Sequence, residues 1–197
     1  MATILSQNTS DVNSNVAYEQ LTRRFRTWDA VADAPADRVA DAIRSGGLAD
    51  QKAATIQRAL RQIRQDFGRI TLEALEEWDP QRGMDYLTKI RGIGPKTAAC
   101  VLMFSLGQPV LPVDTHIHRQ AIRLALVPPN SSAVQTQQTL QEACPPRLVY
   151  PFHVLLITHG RQVCKARCPR CAACPLVDIC PSAFTFQHNQ SARRRAL

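Results

Sequence analysis

The sequence predicts an all-α protein of two helical lobes, and three features predict it. Apolar residues recur at helical intervals through most of the chain, helix caps and stops punctuate that pattern, and no stretch sustains the alternation of a strand. Val12, Val16, Leu21, Phe25 and Trp28 outline one apolar face, with Thr9 or Ser10 as its cap. A second helix runs over about 35–47 and stops at the Gly46-Gly47 pair. The third spans 49–67, with Ala53, Ile56, Leu60 and Ile63 inward and Gly68 ending it. A short helix follows at 72–78. Asp79-Pro80 reads as an N-cap and first helical residue, ahead of an apolar face of Met84, Leu87 and Ile90. A tight turn at 91–94 leads into a helix over 95–106. Further helices are expected at 115–126, 132–143 and 148–160, before a cysteine-rich loop. Arg193, Arg194 and Arg195 suggest a mobile basic tail.

Composition narrows the function. The 197 residues are 45% hydrophobic and 20% charged, which is ordinary globular material. No apolar run reaches the roughly 18 residues of a membrane span. The opening MATILSQNTSD lacks the basic and apolar regions of a secretion signal, so a cytoplasmic protein is expected, nucleoid-associated if bacterial. The net charge of +8 suits a polyanion, since cations that neutralise phosphates release condensed counterions. A merely solvated basic surface is the alternative. Cys164, Cys168, Cys171, Cys174 and Cys180 fall close together in a chain with no sign of secretion, which points to metal ligation rather than disulfides. Cys100 and Cys144 sit in helical patterns and read as buried apolar residues.

Two segments carry chemistry. MDYLTKIRGIGPKTAACVLMFSL is a helix, a glycine turn and a helix. Gly92 and Gly94, flanking Ile93, let another backbone come close, and the next helix offers free N–H groups and a cation, Lys96, to a phosphate. Taken alone, such a turn is as readily a simple connection, Lys96 a solvated lysine, and Asp114 in LPVDTHIHR the N-cap of the 115–126 helix. The second segment is C-KAR-C-PR-C-AA-C-PLVDI-C. It offers five thiols for four positions and suits either an iron–sulfur cluster or zinc, with Cys168 as a possible ligand.

LTKIRGIGPKTAACVL resembles the helix–hairpin–helix of the endonuclease III family of DNA glycosylases, and the likeness extends from Ile4 to Cys180. It implies that Asp114 is the family's essential aspartate and that Lys96, eighteen positions earlier, is the lysine of its glycosylase/lyases. A neutral lysine amine can attack the sugar C1′ and form a Schiff base, and a nearby carboxylate can stabilise an oxocarbenium-like transition state. The spacing C-x6-C-x2-C-x5-C matches that family's [4Fe–4S] ligands, which implies Cys164, Cys171, Cys174 and Cys180 and leaves Cys168 over. The loop would present Lys165, Arg167 and Arg170 to phosphates. ILSQNTSDVN resembles the segment whose glutamine fills the gap left by a flipped base. Asn8 holds that position, with Gln7 beside it. His116 fits the family's VDTH text and is a candidate DNA contact, His118 stands where an aromatic is common, and Arg119 is expected in a structural salt bridge.

The implied organisation is a helical lobe over 17–110 and a second lobe of 1–16 plus 111–197, with the cluster loop at 164–180. Double-stranded DNA would lie between them, its damaged base flipped out. The implied activity is removal of oxidised pyrimidines with strand cleavage at the abasic site, by a monomer. Alternatives are a glycosylase for mismatched thymine, uracil or 5-methylcytosine, or a non-catalytic DNA-binding protein on the same scaffold.

Overall fold

The computed structural model describes residues 1–186, and the Arg193–Arg195 run lies outside them. The described residues are helical, with no strand among them. They form two compact units, one covering Met1–Gln108 and one beginning at Pro109.

In the first unit, α1 (Ala2–Leu5) packs on α2 (Asp11–Arg24), α5 (Ala49–Phe67) and α7 (Pro95–Leu106). Residues 1–16 therefore pack with this unit rather than with the second lobe expected from the sequence, because Ile4 and Leu5 are buried there. The face of α2 also differs from expectation. Val12 is 71% exposed and Val16 is exposed, whereas Ser14, Ala17 and Leu21 are buried. The packing surface explains the choice: a Cβ on Gly46 would stand 3.2 Å from that of Ala17, and a valine has no room at such an approach. Phe25 is extended and breaks the helix, so Trp28 opens a separate helix, α3 (Trp28–Asp33), capped by Thr27.

The short helix α4 (Ala36–Ala42) leads through a 3-10 turn (Arg44–Gly46) into α5. In α5, Ala53, Ile56, Leu60 and Ile63 face the core as expected. Residues 72–78 form only a 3-10 turn, Glu73–Leu75, which the Gln108 amide holds by donating to Leu75 O at 2.7 Å and Trp78 O at 3.1 Å. The Asp79 carboxylate caps α6 (Pro80–Lys89) through Gln81 N at 2.9 Å, and Leu87 and Ile90 are buried.

In the second unit, α8 (Thr115–Arg123) packs on α10 (Val149–Gln162) and on α9 (Ala133–Ala143). α8 ends three residues before the expected 126. Ser132 and Gln135 close a capping box at the start of α9. The Gln141 amide holds the extended stretch before α8, accepting from Leu111 N at 2.6 Å and donating to Pro109 O at 2.8 Å. Gly160 is where α10 meets α8: a Cβ there would lie 2.5 Å from Gln120 Nε2 and 2.9 Å from His116 Cβ. Beyond α10 the chain runs into the cysteine loop, which holds only two 3-10 turns, Cys171–Ala173 and Val177–Ile179.

Candidate functional site: hairpin, capped aspartate and cysteine cavity

The hairpin between α6 and α7 is held close to α5. Gly92 has φ +102°, and a Cβ there would meet Thr55 Oγ1 at 2.5 Å and Thr55 Cγ2 at 2.7 Å, so both backbone and space demand glycine. Arg58 Nη1 donates to Arg91 O at 2.7 Å and braces the same turn from α5. Gly94 and Pro95 start α7, where the Lys96 and Thr97 amides have no partner within the helix. Gly92, Gly94 and Lys96 are exposed, whereas the Ile93 side chain is buried and leaves only its backbone for a ligand.

The N-terminal turn reaches the same helix. Gln7 Nε2 donates to Thr97 Oγ1 at 2.8 Å, one residue from Lys96. Asn8 is exposed, with φ +50°, a left-handed conformation that asparagine tolerates better than most residues. Gln7 is thus committed to the protein, while Asn8 projects.

In the second unit, Asp114 Oδ1 accepts from His116 N and Ile117 N, each at 2.9 Å, and caps α8. The cap uses one oxygen and fixes the half-buried carboxylate in direction. His116 Nδ1 lies 3.1 Å from Arg119 Nη2, and His118 Nε2 lies 2.8 Å from Ser131 O. Both histidines are therefore engaged within the protein. Arg119 makes no salt bridge among the described residues, contrary to expectation. It donates instead to Cys164 O, from Nε at 3.2 Å and Nη2 at 2.8 Å, and to Gly160 O at 3.0 Å.

Cys164, Cys171, Cys174 and Cys180 line one cavity, shared with Arg123 and His159. Cys168 is not part of that lining. It is exposed, with φ +53°. Among the described residues no group of three His, Cys, Asp or Glu side chains is arranged to hold a metal ion. A set of four thiols around one cavity has the donor chemistry of an iron–sulfur cluster or of zinc. Lys165, Arg167 and Arg170 are exposed on this loop.

Sequence reasoning missed the residues that brace the loop. Arg123 Nη1 lies 3.2 Å from Cys164 Sγ and donates to Lys165 O at 2.8 Å, while Nη2 donates to Ala166 O at 3.0 Å. His159 Nε2 lies 3.3 Å from Cys174 Sγ. The available signal was helical spacing: Arg119 and Arg123 are four apart and share one face of α8.

Residues 1–146 match the HhH-GPD superfamily of base excision DNA repair proteins. The chain belongs to this superfamily. Within it, the HhH-GPD chain is 37% identical over 176 residues to a putative DNA glycosylase of Arabidopsis thaliana, covering 89% of this chain and 59% of that protein. The chain thus spans somewhat over half the length of that relative. It is 32% identical over 180 residues to endonuclease III of Bacillus subtilis, covering 91% of this chain and 78% of that one. A solved structure of a trapped endonuclease III–DNA covalent intermediate superposes with a TM-score of 0.82 at 30% identity, over 95% of this chain and 84% of that one. The endonuclease III likeness read from the motifs therefore holds over nearly the whole HhH-GPD chain.

Proposed function

We propose that this protein is a base-excision DNA glycosylase with abasic-site lyase activity, in which Lys96 is the nucleophile. The observation that carries the reading is Lys96 itself: an exposed amine on the first turn of α7, directly behind a glycine hairpin, in a chain 30% identical to an enzyme trapped covalently on DNA. Exposed hairpin amides and the α7 N-terminus would receive a backbone phosphate, which brings the amine to the sugar. The Lys96 amine then bonds to C1′ and the base leaves with its bonding electrons. Ring opening gives a Schiff base, loss of a 2′ proton follows, and the 3′ phosphate departs. Asp114 would stabilise positive charge at the sugar, using a carboxylate already aimed by its cap.

Asn8 would occupy the gap in the duplex, and Lys165, Arg167, Arg170 and the edge of His116 would meet phosphates. Cys164, Cys171, Cys174 and Cys180 would hold a [4Fe–4S] cluster, which would supply cross-linking to a loop with few buried residues of its own. The substrates would be oxidised pyrimidines in double-stranded DNA, acted on by a monomer.

The test uses duplex DNA with one abasic site, with borohydride present. A covalent protein–DNA adduct that disappears in Lys96→Ala supports the reading. Binding without any adduct overturns the lyase assignment. A panel of duplexes with oxidised pyrimidines, uracil, mismatched thymine and 5-methylcytosine then fixes the base.

A further inference from the structure

Lys52 is a cation inside the core of the first unit. It is 3% exposed, on the inner face of α5. Its Nζ donates to Leu5 O at 2.8 Å and to Gly46 O at 2.7 Å, so its partners are two carbonyls and not a carboxylate. Burying an ammonium is costly, and nothing in the proposed chemistry uses it. What it holds is informative. Leu5 ends α1, and the next residues are the turn that carries Gln7 and Asn8. Ser6 Oγ closes that turn by donating to Thr3 O at 3.0 Å, and Gln7 reaches Thr97 on α7 at 2.8 Å. The turn is therefore fastened at two points just before Asn8, by Lys52 at Leu5 and by Thr97, beside Lys96, at Gln7.

We infer that Lys52 and Thr97 are positioning residues, which together hold the 6–10 turn rigid so that Asn8 enters the gap of a distorted duplex. The inference rests on the function proposed above. A projecting polar side chain fills a gap only if its backbone does not give way, and a four-residue helix cannot hold that backbone by itself. The carbonyls of Leu5 and Gly46 come from separate segments, and one ammonium joins both to α5. An apolar residue at position 52 would pack as well but join nothing.

The probe is a duplex with a tetrahydrofuran abasic analogue opposite 2-aminopurine, whose fluorescence reports whether a side chain has entered the gap. Binding of the unaltered protein should change that fluorescence. Thr97→Val keeps shape and removes the acceptor, Thr97→Ser restores it, and Lys52→Met removes the ammonium but keeps the stem. Thr97→Val and Lys52→Met should reduce the fluorescence change and lower the preference for the gapped over the intact duplex by about fivefold, the worth of one hydrogen bond. Thr97→Ser should recover both, and the borohydride adduct should still form in all three. Should Lys52→Met not fold, the Thr97 pair decides. An unchanged preference and signal in Thr97→Val overturns the inference while the lyase reading stands. No adduct from the unaltered protein overturns both.

Discussion

At the scale of single residues, Asp114 caps α8 and in the proposed function also stabilises charge at the sugar, and the two can be separated. Asparagine caps a helix as well as aspartate does, so Asp114→Asn should leave the thermal midpoint nearly unchanged while slowing base removal at least about 100-fold. Asp114→Ala should add a loss of about 1 kcal/mol from the missing cap, read by denaturant unfolding. Gly92→Ala combines a left-handed backbone with a clash on Thr55 and should cost about 1–3 kcal/mol, with weaker DNA binding as the hairpin shifts. Lys52 gives a pH dependence. Burial lowers its pKa, so between the folded value and the unfolded 10.5 the unfolded chain binds more protons, and stability rises with pH across that window. Thermal midpoints should show a flatter rise toward alkaline pH in Lys52→Met than in the unaltered protein.

At the scale of elements, the sequence was readable where pattern and packing agree. α5 carries its apolar stripe alone, and each of Ala53, Ile56, Leu60 and Ile63 is inside. α2 was misread because its buried face uses Ser14 and Ala17, whose small size permits close approach, and periodicity weighs valines above them. The glycine turn and the Asp114 cap were legible from local pattern, whereas the roles of Lys96, Asp114 and the four cysteines that share a cavity come from the family likeness and belong to the proposal. Lys52 and Arg123 were not legible, since a cation that binds carbonyls looks, in sequence, like any solvated charge, and nothing in sequence marks the ring of His159 as lying beside a sulfur. The cysteine loop yields its own prediction. Cys174→Ser should abolish the broad visible absorbance of a purified, iron-loaded protein, and Cys168→Ser should retain it. Equal loss in both would place Cys168 among the ligands.

At the scale of the molecule, a basic chain that binds DNA as proposed would do so with an affinity set by salt, through the phosphates its cations neutralise. The logarithm of affinity should fall linearly with the logarithm of salt concentration. Replacing Lys165, Arg167 and Arg170 together by glutamine should flatten that slope by up to about 0.9 for each phosphate no longer neutralised. An unchanged slope would make the three a solvated surface.

Four glutamines fasten the two units, three of them at irregular segments and Gln120 between α8 and α10. Gln57 donates to Val31 O and Ala34 O, Gln108 to the turn after α5, Gln120 to His116 O and Leu156 O, and Gln141 spans Pro109 O and Leu111 N. Amides hydrolyse to carboxylates only where water reaches them, so the folded state protects Gln57, Gln108 and Gln120 from that chemical ageing. Heating that opens either unit removes the protection. A side chain hydrolysed while open would have to return as an anion facing carbonyl oxygens, so long incubation near the melting temperature should turn reversible unfolding into irreversible loss.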